Sequence, residues 1–146
     1  CYVQTKNLVD LEDHLAKDYI KAKQMLHFII ELFSTTLESG VLYQRLFITV
    51  AESILRKMGH SKISRSGDDL FLDEKKLSVS IATASTVSVL IHAGINIDST
   101  GAPVNAGELK GFSHHQVLVF AETLLKSYCH EVNEIQKAQC KVKPLV

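Results

Sequence analysis

Lys76, His92 and Asp69 are the side chains of this sequence best placed to carry out chemistry. Lys76 opens a stretch of alternating residues that runs to Ala84, and His92 sits inside a second such stretch, Val87 to Ile97. On the first, Leu77, Val79 and Ile81 point to one side while Lys76, Ser78, Ser80 and Ala82 point to the other. On the second, Val87, Val89, Ile91, Ala93, Ile95 and Ile97 share one side, and Ser88, Leu90, His92, Gly94 and Asn96 share the opposite one. A tight hairpin around Ser85 pairs residues whose numbers sum to about 170, so Ser78 is expected to face His92 and Lys76 to face Gly94. That register assembles a floor of small, hydroxylated side chains, Ser78, Ser80, Gly94 and Asn96, on which a flat or extended ligand lies close to the backbone. Lys76 at its rim could meet a carboxylate or phosphate, with His92 hydrogen-bonding beside it. The same pattern also fits the solvated side of a half-exposed sheet. The near absence of charged residues on that side is what favours a ligand floor.

Other candidates surround this pair. Gly67-Asp68-Asp69 reads either as a turn with solvated carboxylates or as a device that sets Asp69 beside Ser78. Arg45 and Arg65 could clamp a phosphate with two parallel hydrogen bonds, or pair with surface carboxylates. Asp10, Glu12 and Asp13 offer hard oxygen ligands for a divalent cation, or simply complement a helix N-terminus. His27 lies near an apolar stripe and reads as a hydrogen-bonded core histidine. His114 and His115 are adjacent on a helix, do not share a face and do not chelate.

The elements that must position these groups follow from pattern. A helical turn or two is expected within 8–18. A helix over 20–33 is suggested by the stripe Ala22, Leu26, Ile29 and Phe33, and another over 41–58 ends at Gly59. Strands are expected at 67–72, 76–84 and 87–97. The last helix opens at Ser113, which with Gln116 forms a capping box, flanked by Phe112 and Val117 as a hydrophobic staple. Helices around sequential short strands imply an α+β domain with an antiparallel or mixed sheet and helices mainly on one face.

Composition narrows the function classes. The 146 residues have the size of a single domain, 1–146, and 46% apolar with 22% charged residues is ordinary globular composition. Sixteen basic residues balance sixteen acidic ones, so no basic face for nucleic acid is expected. Cys1, Cys129 and Cys140 show no CxxC spacing and read as reduced thiols of a cytoplasmic protein. No signal peptide is visible, and the uncharged run 77–97 alternates with period two rather than reading as a membrane span.

Ser66-Gly67-Asp68-Asp69-Leu70-Phe71, then Lys76 to Thr83, then Ser88 to Ile97 together resemble an uncharacterised family, the domain of unknown function numbered three hundred sixty-six. Leu8 to Asp13 and Met25 to Ile29 resemble it as well, so the likeness runs from about Val3 to Phe112. That family is related in fold to biotin and lipoate protein ligases and to lipoyl/octanoyl transferases. The resemblance implies a biotin/lipoate ligase-like fold, with further strands upstream of Cys1. It implies that Lys76 contacts the acyl carbonyl and phosphate of an acyl-adenylate, with ATP and magnesium as cofactors. Against the ligase pattern, no Gly/Arg-rich phosphate loop precedes Lys76, and no cysteine lies near the strand pair in sequence.

Three functions are compatible with these residues. A ligase- or acyltransferase-like enzyme uses Lys76, His92 and Asp69, with Ser78, Ser80, Gly94, Asn96, Asp68 and Arg65 around a small carboxylic acid or its adenylate. A non-adenylating protein binds or processes a nucleobase or cofactor on the same floor. A structural protein packs that face against another subunit, and a homo-oligomer is expected because an open sheet of this size leaves edges to cover.

Overall fold

A computed structural model describes residues 1–16 and 19–145. In chain order it contains β1 (Tyr2–Val3), α1 (Leu11–Ala16), β2 (Ile20–Lys21), β3 (Gln24–Phe33), α2 (Leu37–Lys57), β4 (Ile63–Ser66), β5 (Asp69–Leu72), β6 (Lys75–Lys76), β7 (Ser78–Ala84), β8 (Ser88–Asp98) and α3 (His114–Gln139). The strands form antiparallel ladders in three groups, β1-β2, β3-β8-β7 and β4-β5-β6. The result is the expected α+β architecture.

Both long helices have chemically specified ends. Thr36 caps α2 by accepting the Ser39 N–H at 3.1 Å, and Gly59 takes φ +102° just beyond its end. Ser113 and Gln116 form the expected capping box on α3. The helices bury Phe47, Ile48, Leu55, Phe120 and Leu124 against Phe28, Ala93 and Ile95 of the sheet. Phe28, Phe47 and Tyr128 meet edge-on, with centroids 5.1 and 5.2 Å apart.

Two expectations are corrected. The segment 20–33 is β2 and β3, not a helix. Leu26, Phe28 and Ile30 turn inward on alternate positions, Phe28 fully buried and the other two packed against the core, while Ile29 between them is 78% exposed. The β7–β8 register is the second correction. Ser78 pairs with Ile95, Val79 with Gly94 and Ile81 with His92, an odd shift from the expected pairing. An odd shift turns β7 over relative to β8. Ser78 and Ser80 therefore lie on the helix side with Ala93 and Ile95, and Val79 and Ile81 lie on the outer side with His92 and Gly94. Ser85 opens the turn that goes with this register: its Oγ accepts the N–H groups of Val87 and Ser88 at 3.2 and 3.0 Å, and its own N–H donates to the Ser88 carbonyl at 2.8 Å.

Candidate functional site

The outer side of the β3-β8-β7 sheet is covered at one end by the N-terminal segment, and between them lies a cleft of about 290 Å³. Val79 and Ile81 of β7 floor it, and His27 and His92 stand on the neighbouring strands. Leu8, Val9 and Ile20 form an apolar wall, and Cys1 and Asp10 reach it from the same segment. Lys76, Asp68, Asp69 and Ser80 close the end nearest β5.

Backbone contacts fix Lys76. It pairs with Phe71 across the β5–β6 ladder, and its carbonyl accepts the Gly107 N–H at 2.9 Å. Gly107 permits that approach because a Cβ there would come within 2.8 Å of the Lys75 carbonyl oxygen. The Lys76 ammonium meets Asp69 Oδ2 at 2.9 Å, which orients it at the rim while leaving further N–H donors for a ligand. Asp68 is held separately: Gln44 of α2 donates to its Oδ2 at 2.9 Å and to Ser80 Oγ at 2.7 Å, and Ser80 Oγ donates to the Asp68 carbonyl at 2.9 Å.

The two histidines form a unit. His27 Nδ1 and His92 Nε2 are 2.9 Å apart, with ring centroids 5.1 Å apart and planes 23° from parallel. His27 pairs across the ladder with Gly94, and His92 with Ile29. Partial desolvation in the cleft, then the facing His92, hold His27 below the usual imidazole value.

The structure thus gathers Lys76, Asp69, Asp68, Ser80 and His92 around one cleft, with Gly94 beneath His27. Ser78 is buried, and its Oγ accepts the Leu70 N–H at 2.8 Å. The Asn96 amide, also buried, donates to the Gly107 carbonyl at 3.1 Å, so it braces the loop behind Lys76. Arg65 is exposed and donates to the Gly67 carbonyl in the β4–β5 turn. The side chains of Glu12 and Asp13 fall outside the described residues, and among the described residues no group of three or more His, Cys, Asp and Glu is placed to hold a metal ion. His27 and the apolar N-terminal wall line the cleft without having been expected there from the sequence. Reading 24–33 as a strand would have put His27 on the same side as Ile29 and Glu31.

The fold has relatives among solved structures. A biotin protein ligase R40G mutant from Aquifex aeolicus in complex with biotin superposes with TM-score 0.65 at 18% identity, over 90% of this chain and 59% of that one. A putative lipoate protein ligase from T. acidophilum with bound lipoic acid gives 0.57 at 13%, over 77% and 55%. At these identities the likeness is one of fold. No helix among the described residues is long and apolar enough to cross a membrane. A protein of unknown function from Pyrococcus horikoshi matches at TM-score 0.87 and 31% identity, over all of this chain and 78% of that one. An uncharacterized protein of Methanocaldococcus jannaschii is 34% identical in an alignment that covers 99% of this chain and 67% of that protein. The family model described as Domain of unknown function (DUF366) matches residues 1–143, and the chain belongs to that family.

Proposed function

We propose that the cleft binds a small carboxylic acid with an apolar body, and that Lys76 receives its carboxylate or the carbonyl of its activated form. The observation that carries this reading is the continuity of the Val79–Ile81 floor with a lysine whose backbone is clamped on both sides. An apolar trough ending in an oriented ammonium fits a molecule with one charged end, and such a cation also offsets charge developing on an acyl oxygen. Structures of the same fold hold biotin and lipoic acid, which are acids of this shape. On this reading residues 1–146 act as one domain in the cytoplasm, where the three free cysteines stay reduced. His92 and Asp69 serve Lys76 as hydrogen-bonding and orienting partners, and ATP with magnesium is the co-substrate if the acid is activated.

Calorimetric titration with biotin, lipoic acid and octanoate tests this, comparing wild type with Lys76→Met. Binding of at least one acid is expected, at least ~10-fold weaker in the variant, in keeping with ~1.5 kcal/mol or more for a hydrogen bond to a charged group. Binding of none, or equal binding by both proteins, would overturn it. Pyrophosphate release from ATP and magnesium in the presence of the bound acid then separates an activating enzyme from a binding protein. A second reading, subunit packing, is favoured by Ile29 and Phe33, which are 78% and 64% exposed on the outer sheet face beyond the cleft. Sedimentation of a homo-oligomer that Ile29→Lys dissociates would support it.

A further inference from the structure

We propose that His27 and His92 form a two-imidazole site for a late first-row cation such as Zn²⁺ or Co²⁺. Two observations carry it: ring nitrogens facing each other at 2.9 Å, and a glycine at the position where a side chain would push them apart. A tetrahedral ion with Zn–N bonds of 2.0–2.1 Å sets its two ligand nitrogens about 3.3 Å apart. Small rotations of two rings therefore convert the present contact into a chelate. The histidines stand on adjacent antiparallel strands, diagonal to each other across the β3–β8 ladder. The sheet, not a loop, fixes their spacing.

Gly94 is what lets His27 lean toward His92. A Cβ at Gly94 would lie 3.3 Å from His27 Nδ1, 3.3 Å from Val79 Cγ2 and 2.8 Å from Met25 Cε. Among the described residues no third His, Cys, Asp or Glu completes the set. The remaining coordination positions fall to water or to a molecule in the cleft, the open arrangement of a site that works on a ligand rather than one that staples a fold. Asp10, Asp68 and Asp69 line the same cleft and outnumber Lys76, which pairs with Asp69, so the carboxylates favour a cation there.

The site is independent of the acid-binding reading, since the probe is the metal alone. Untagged protein is titrated with Co²⁺ and followed by visible absorption, and Zn²⁺ stoichiometry is measured by equilibrium dialysis. One ion per chain is expected, with binding at least ~10-fold weaker in His27→Gln and in His92→Gln, because loss of a direct ligand costs no less than loss of its supporting partners. The double variant His114→Gln/His115→Gln, at the exposed start of α3, should bind as wild type does. Both cleft histidines are solvent-exposed, and far-UV circular dichroism shows whether the variants keep the fold. Absence of a Co²⁺ absorption band, retention of binding by either cleft variant, or loss in the α3 variant would overturn the proposal.

Discussion

The two sides of the β3-β8-β7 sheet use the same strands for opposite purposes. On the helix side every polar group is accounted for by another part of the chain: Ser78 by Leu70, Ser80 by Asp68 and Gln44. Apolar residues there are buried, with Ile91, Ala93 and Ile95 fully inaccessible. On the outer side histidines meet each other, and Ile29 and Phe33 face solvent. A side that satisfies itself internally needs nothing further to explain its composition. A side that leaves imidazoles and branched aliphatics exposed is the side to which the proposed ligand or partner would come.

The largest expected contrast is in stability. Leu55→Ala, in the core under the helix side, should cost ~2–5 kcal/mol in denaturant unfolding, while Ile29→Ala on the outer side should stay within ~0.5. A large loss for Ile29→Ala would mean that the outer side is covered in solution, and the contrast would fail. Two glycines sharpen the comparison at a smaller scale. Gly40 of α2 backs onto Val89, where an added Cβ collides with the branched side chain, so Gly40→Ala should cost about 1–3 kcal/mol despite better helix propensity. Gly94→Ala meets the flexible end of Met25 and should cost less, yet it should abolish Co²⁺ binding by displacing His27. Equal stability losses at both positions would place Gly94 among the packing residues instead.

The smallest effect lies away from both sides. Glu108 accepts the Ser99 N–H at 2.8 Å and its hydroxyl at 2.9 Å, which together hold its carboxyl below the ordinary 4.5. A carboxyl whose folded value lies below its unfolded one contributes stability that is full above about 4.5 and is lost as pH falls through the folded value. Thermal melts from pH 6 downward should therefore decline less steeply in Glu108→Gln. Parallel slopes would remove the loop contact from the acid sensitivity of the fold.

Much of the fold was legible because its signals are local. The capping box of α3, the glycine after α2 and the period-two stretches of β7 and β8 each depend on residues within a few positions. β3 was not, because its outer side carries Ile29 and Phe33. Apolar residues on both sides erase the alternation and leave Ala22, Leu26, Ile29 and Phe33 at helical spacing. The register of β7 hinged on whether Ser85 lies at the centre of the hairpin or opens its turn, and the bonds from Ser85 to Val87 and Ser88 put it at the start. Lys76, His92, Asp68 and Asp69 could be named from pattern and family likeness. His27 and the wall opposite them could not, since they come from segments some 50 to 75 residues away in the chain.

That wall is joined to the rest of the molecule by a ladder of two residues a side, Tyr2 with Lys21 and Val3 with Ile20, extended by the bonds between Cys1 and Ala22. So short a ladder frays at little free-energy cost compared with the ten-residue pairing of β3 and β8. The cleft consequently exists in full only in that fraction of molecules whose ladder is closed. Any ligand that needs the wall binds with an apparent dissociation constant equal to its intrinsic value divided by that fraction. Affinity here is then partly a property of the hinge strands, and substitutions at Tyr2 or Val3 can tune it without touching a single group that meets the ligand.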